Sequence, residues 1–168
     1  IFWNVRCVVG IVNVFPSTLL KKDFLSWWDV HIPLFFPVVL EVLEKDSVRD
    51  WKKLKTIAKE LQARGAKIAI DDMGEGYSFF QQWIELTPDF IKLDRYFAEN
   101  LSENSLKQKT VRSLIDLFSG TTEIIIEGIE TERDLYTAEL LGIQYAQGYL
   151  LGKPSPIECM NEHRIFGR

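Results

Sequence analysis

Six short apolar runs recur along the chain, and each closes on a polar residue able to ligate a cation or move a proton. VVGIVNV ends near Asn13, PVVLEVLE carries Glu41 and Glu44, and KIAIDD ends in Asp71 and Asp72. DFIKLD carries Lys92 and Asp94, EIIIEGIE carries Glu127 and Glu130, and IQYAQGYL carries Gln147. Strands that are apolar along their length and polar at their carboxyl ends predict a parallel sheet with a site across its carboxyl edge.

The segments between the runs have helical period. From Ser47 to Arg64, Val48, Trp51, Leu54, Ile57, Ala58 and Leu61 share a face, with Lys52, Lys53, Lys55 and Lys59 largely off it. Ser47 is the expected N-cap and Gly65 the expected stop. A second helix is predicted from about Ser102 to Ser119, with Leu106, Val111, Leu114, Ile115 and Phe118 inward. Thr131, followed by Glu132 and Asp134, opens a third that ends near Gly142. Shorter helices are expected at Leu19–Trp28, Tyr77–Leu86 and Pro156–Phe166.

Strand and helix thus alternate six times, with connections suited to right-handed crossovers between parallel neighbours. The expected fold class is α/β, a TIM-like (β/α) barrel that is incomplete, with about six β/α units present. A full barrel takes roughly 250 residues, so 168 residues starting on a strand fit one lacking about its first two units. An open doubly wound sheet is the alternative, although the Gly-rich phosphate fingerprint after a first strand is missing. The whole chain, 1–168, reads as one partial domain of a longer protein.

Composition changes this picture only by exclusion. A net charge of −4 with scattered basic residues argues against nucleic-acid polymers as partners. Cys7 and Cys159 have neither metal-site spacing nor the density of a disulfide scaffold, which points to a reducing compartment. Apolar stretches are interrupted well short of the roughly 20 residues a membrane span needs. A cytoplasmic location is expected, either alone or as part of a larger membrane-attached protein.

The adjacent pair Asp71-Asp72 carries the sharpest chemical signal, because two close carboxylates need a compensating cation to remain ionised. Asp72 as a turn cap is the plainer reading. With Asn13, Glu41 and Glu127 at the ends of other strands, the set supplies the hard oxygen ligands that Mg²⁺ or Mn²⁺ prefers. Lys92 lies inside an apolar run and needs a partner; Asp94, two residues on, is the expected one. A purely structural ion pair and a cation that orients water or stabilises a phosphate both remain open. His31, in an expected loop, and His163 give no support for a histidine metal site, and no Ser-His-Asp arrangement is present.

The runs VGIVNVFPSTLL, LEVLEKD, GAKIAIDDMGEGYSFF, PDFIKLDRYF, IIIEGIETERDL and GIQYAQGYLLGKPSP, in this order, resemble the EAL domain of bacterial cyclic di-GMP phosphodiesterases. The resemblance implies that Asn13, Glu41 and Asp71 ligate one divalent metal and that Asp71, bridging, with Asp72 and Glu127 ligates a second. It implies that Lys92 holds the attacking water, that Glu127 helps deprotonate it, and that Gln147 supports the site. Glu44 resembles the glutamate that anchors the loop after Asp72, a loop associated with dimerisation and metal occupancy.

The implied reaction is metal-assisted hydrolysis of cyclic di-GMP to linear pGpG, by a homodimer that can carry an upstream sensory or regulatory domain. Two departures stand against the matches. The Glu-Ala-Leu segment, with its metal-binding Glu, is expected upstream of Ile1. The usual loop Asp-Asp-Phe-Gly-Thr-Gly-Tyr-Ser-Ser-Leu is here DDMGEGYSFF, with Met73, Glu75, Phe79 and Phe80 at variant positions. A non-catalytic EAL-like module that binds cyclic di-GMP or a protein partner is the rival reading, and an enolase-like Mg²⁺ enzyme is a more remote one.

Overall fold

A computed structural model describes residues 10–33, 37–43, 48, 50–73 and 79–154. Of the sequence-based expectations, Glu44, Ser47, both cysteines and the Pro156–Phe166 helix lie outside the described residues. Six strands form one parallel sheet in sequence order: β1 (Gly10–Val14), β2 (Val38–Val42), β3 (Lys67–Met73), β4 (Phe90–Leu93), β5 (Glu123–Ile126) and β6 (Tyr145–Ala146). The helices are α1 (Pro16–Leu19), α2 (Phe24–His31), α3 (Trp51–Ala63), α4 (Phe79–Leu86), α5 (Arg95–Ala98), α6 (Ser105–Phe118) and α7 (Glu132–Leu141). A 3-10 turn at Leu101–Glu103 precedes α6. The expected α/β class and unclosed barrel are what the described residues form, with β1 at one edge and β6 at the other.

Strand alternation divides the apolar residues between two cores. Val14, Leu40, Val42, Ile68, Ile70, Ile91, Leu93, Ile124 and Ile126 point to the helical side and pack with Leu54, Leu61, Val111 and Phe118. Val39, Ala69, Phe90 and Ile125 point the other way, with Tyr145 beside them. That second set is the inner, barrel-side layer, and the residue two places on along each strand shares its face.

Helix starts are set by side-chain acceptors. Asp50 accepts from Lys53 N at 2.9 Å at the head of α3, and Asn104 accepts from Leu106 N and Lys107 N at 3.1 Å at the head of α6. Thr131 accepts from Asp134 N at 3.1 Å, opening α7 as the sequence predicts.

Four expectations need correction. Helix α3 begins at Trp51 with Asp50 as its cap, three residues later than the start expected at Ser47. Helix α6 begins after the 3-10 turn, so Leu106 falls in its first turn and is 71% exposed, while Leu101 takes the buried place. The expected Leu19–Trp28 helix is two helices separated by Leu20–Asp23, where the polar run Lys21-Lys22-Asp23 offers no apolar face to bury. His31 ends α2 rather than lying in a loop, its ring bonded to Trp27 O at 2.8 Å and stacked on the Trp27 ring.

Candidate functional site

Above the inner apolar layer, the next inward positions are Glu41 on β2, Asp71 on β3 and Lys92 on β4, with Glu127 one residue past the end of β5. Lys92 Nζ lies 3.1 Å from Glu41 Oε1, 2.8 Å from Asp71 Oδ1 and 2.8 Å from Glu127 Oε1. Lys92 and Glu41 are each only 6% exposed. Four chain segments far apart in sequence thus meet around one ammonium, because parallel neighbours bring their carboxyl ends to one rim.

Burial pushes the Glu41 carboxyl up from its ordinary value; Lys92 opposes this, and repulsion from Asp71 and Glu127 adds to it. At Lys92 burial pulls the ammonium down, yet hydrogen bonding to Asp71 and Glu127 and the attraction of Glu127 and Glu41 outweigh it, so its pKa is raised. The lysine is therefore a fixed cation.

The neighbour expected for Lys92, Asp94, does something else. It lies past the end of β4, where the strand alternation has ended, and its Oδ1 accepts from Tyr96 N at 2.8 Å to cap α5.

Strand β3 carries a feature invisible to simple periodicity. Ile70 pairs with Ile91 and Met73 with Leu93, so β3 has one more residue than β4 across this interval. Ile70 and Met73 both pack in the outer core although they are three residues apart. The bulge falls at Asp71-Asp72, the position at which re-aiming a side chain matters most. Asp72 lies on the strand.

Asn13 stands beside Glu41 in the β1–β2 register and is exposed. Gln147, just past β6, is exposed and lines a narrow recess with Ile11, Val39, Glu41, Phe90, Lys92, Ile125 and Tyr145. Asn13, Glu41, Asp71, Lys92, Glu127 and Gln147 therefore share the carboxyl edge. A wider cleft of about 550 Å³ opens at the opposite, amino-terminal end, lined by Lys67, Asp89, Thr122, Glu123 and Gln144. Lys67 and Asp89 pair with each other there at 2.6 Å, and the cleft lacks the convergence seen at the carboxyl rim.

The donor set at the rim fits a hard divalent cation. Three carboxylates face one ammonium, leaving two negative charges in excess. Asp71 Oδ1 is buried against Lys92 Nζ at 2.8 Å, and no other hydrogen-bond donor reaches it among the described residues. Such an oxygen suits a cation. Among the described residues no three acidic side chains already close directly on one point, because the Lys92 ammonium stands between them.

Two backbone features hold this rim and were not read from the sequence. Gly128, next to Glu127, has φ +74, and Gly148, next to Gln147, packs face-on against the backbone of Ile129. The EGI and QGY spacings were the available signal.

A family model for the EAL domain matches residues 6–154. The probable cyclic di-GMP phosphodiesterase PdeA of Escherichia coli K12 is 33% identical over 152 residues, 87% of this chain and 21% of that protein. The crystal structure of the EAL domain of Mycobacterium smegmatis DcpA superposes with a TM-score of 0.77 at 33% identity, covering 88% of this chain and 68% of that one. Klebsiella pneumoniae BlrP1, solved as a manganese and cyclic di-GMP complex, gives a TM-score of 0.72 at 26% identity over 86% of this chain and 38% of that one. The chain thus spans about a fifth of the curated relative and about two thirds of the isolated EAL domain. With a match running through nearly all of its strands and helices, the chain belongs to the EAL domain family.

Proposed function

We propose that the protein carrying this chain is a divalent-metal-dependent phosphodiesterase that hydrolyses cyclic di-GMP to linear pGpG, and that residues 1–168 are part of its EAL domain. The observation that carries the reading is the buried Lys92 ammonium held by Glu41, Asp71 and Glu127 at the carboxyl rim of an EAL sheet. Relatives described as cyclic di-GMP phosphodiesterases, and a neighbour solved with manganese and the cyclic dinucleotide, support the substrate and the metal class.

Asn13, Glu41, Asp71, Asp72 and Glu127 would hold the metal, Mg²⁺ or Mn²⁺. A bound divalent cation supplies Lewis-acid polarisation of the phosphodiester and lowers the pKa of water so that hydroxide is available near neutral pH. The chain's own residues do the rest. Lys92, a permanent cation, orients the attacking water and opposes charge that accumulates on the phosphate oxygens. Glu127, in contact with Lys92, accepts the proton of that water. Gln147 orients the substrate from the β6 end, and Glu44 supports the site through the loop that follows Asp72. Homodimerisation and an upstream sensory or regulatory domain belong to the same proposal.

The test uses the full-length protein with cyclic di-GMP, analysed by chromatography with Mg²⁺, with Mn²⁺ and with chelator. Release of pGpG that depends on metal is expected. Calorimetric binding of the dinucleotide with no pGpG under any metal condition would replace this reading with that of a non-catalytic receptor.

A further inference from the structure

The segments that follow the strand ends bearing Lys92, Glu127 and Gln147 approach one another closely at two glycines. A Cβ at Gly148 would lie 2.1 Å from Ile129 O, 2.3 Å from Ile129 N and 2.6 Å from Ile129 C. The φ of Gly148 is not in the left-handed region, so glycine is required there for space alone. One layer over, a Cβ at Gly128 would lie 2.5 Å from Arg95 Cβ and 3.1 Å from Arg95 Cα, and Gly128 also has φ +74. Both obstacles consist largely of backbone or Cβ atoms, which cannot swing aside as the end of a long side chain would.

Hydrogen bonds tie the same layers. Glu127 N donates to Leu93 O at 3.0 Å and Gln147 N to Ile126 O at 2.8 Å. Ile129 N donates to Gln147 O at 3.0 Å, and Ile129 O accepts from Leu150 N at 3.1 Å. Ile129 is itself fully buried. The order across the rim is therefore Arg95, Gly128 with Ile129, then Gly148. Each of these segments adjoins a group of the cluster: Arg95 follows β4 and Lys92, Gly128 follows Glu127, and Gly148 follows Gln147.

We propose that Gly128 and Gly148 are positioning residues: together they set the spacing of the β4, β5 and β6 ends, and through it the contact of Glu127 with Lys92. The proposal rests on the assignment of Glu127 and Lys92 to the reaction, but its geometric part stands apart from that assignment. A methyl at Gly148 pushes Ile129, and with it Glu127, away from β6 by a distance comparable to an ångström. A displacement of that size in a reacting group costs on the order of 10²-fold in rate.

The experiment is made in the full-length protein with Gly148→Ala, Gly128→Ala, Arg95→Gly and the double variant Gly128→Ala/Arg95→Gly. Gly142→Ala serves as the control, because Gly142 has φ +102 at the C-cap of α7 with nothing within 4 Å of an added Cβ. It loses stability without touching the rim. Gly148→Ala is expected to lower kcat for cyclic di-GMP by about 10-fold to 10²-fold with KM changed by less than about threefold. Gly142→Ala is expected to keep kcat at a comparable loss of melting temperature.

A crystal structure of Gly148→Ala should show the Glu127 carboxylate shifted relative to Lys92 Nζ by about 1 Å, so that the hydrogen-bond geometry of the pair is lost. If Gly148→Ala does not fold, the second pair decides. Gly128→Ala should lose kcat, and adding Arg95→Gly, which removes the nearest obstructing atom, should recover part of that loss relative to Arg95→Gly alone, the rest being the strain of alanine at φ +74 beside the residue-95 Cα. An unchanged Lys92–Glu127 contact in Gly148→Ala, a kcat loss no greater than that of Gly142→Ala, or no recovery in the double variant would each overturn the proposal. A wild type that releases no pGpG would instead overturn the phosphodiesterase reading, and the crystallographic distance would still decide the geometric one.

Discussion

At the residue scale, the arrangement around Lys92 makes the strongest demand on the chain. A buried ammonium and three carboxylates are stable only together, since removing the cation leaves negative charges facing each other out of water. In metal-free buffer, Lys92→Met is therefore expected to lower unfolding stability by about 3–5 kcal/mol. Urea denaturation with chelator present measures this, and a loss below about 1 kcal/mol would show that Lys92 is not the cation that balances the cluster.

Much of this site was legible in the sequence, because an ionisable residue inside an apolar strand has few places to go except a shared interior. The partner of Lys92 was not legible. Period-two reasoning pointed to Asp94, which lies past the strand end and caps α5 instead, whereas Glu41, Asp71 and Glu127 come from other strands. The bulge at Asp71-Asp72 was equally hidden, since it depends on how β3 registers with β4.

At the scale of elements, Asp89 ties the head of β4 to the end of α3 and the start of β3. Its carboxylate accepts from Gln62 Nε2 at 2.9 Å and Ile68 N at 3.0 Å and pairs with Lys67 at 2.6 Å. Burial pushes this carboxyl up, but those partners outweigh it and leave the pKa below its ordinary value. A depressed carboxylate adds stability that is present above its unfolded pKa, about 3.9, and lost as pH falls through the folded one.

Asp89→Asn should therefore cost about 1–2 kcal/mol near pH 7, a range that allows for the exposure of Lys67. The gap to wild type should close as the pH falls below about 4. Denaturation across that range checks it, and a pH-independent gap would mean that the carboxylate charge is irrelevant. In the outer core, Phe118 is fully buried and meets Trp83 edge-on at 4.9 Å between ring centroids. Phe118→Ala should cost about 3–5 kcal/mol by urea denaturation; a value below 1 kcal/mol would show that the cavity collapses without penalty.

The sequence period placed α7 with its Thr131 cap, and it placed the buried face of α3 although that helix starts at the Asp50 cap and not at Ser47. It misplaced the first turn of α6, where Leu101 and not Leu106 fills the core. A hydrophobic residue within two turns of a boundary satisfies either register, and only packing against α7 and the preceding turn decides.

For the molecule as a whole, the parallel sheet runs from β1 to β6 without closing among the described residues, and Ile11 and Val12 on β1 are 42% and 50% exposed. An open, apolar strand edge invites association. Residues 1–168 expressed alone are expected to self-associate, read by light scattering; a dispersed monomer would contradict this.

The central claim is that the Lys92 cluster is the catalytic centre of a cyclic di-GMP phosphodiesterase. Its most direct test is the initial rate of pGpG formation by full-length Asp71→Asn relative to wild type at saturating Mn²⁺, with folding checked by circular dichroism. Loss of the charged oxygen that faces both Lys92 and the proposed metal predicts a fall of at least about 10³-fold in a folded protein. A variant that is folded and within about tenfold of the wild-type rate would place the chemistry elsewhere.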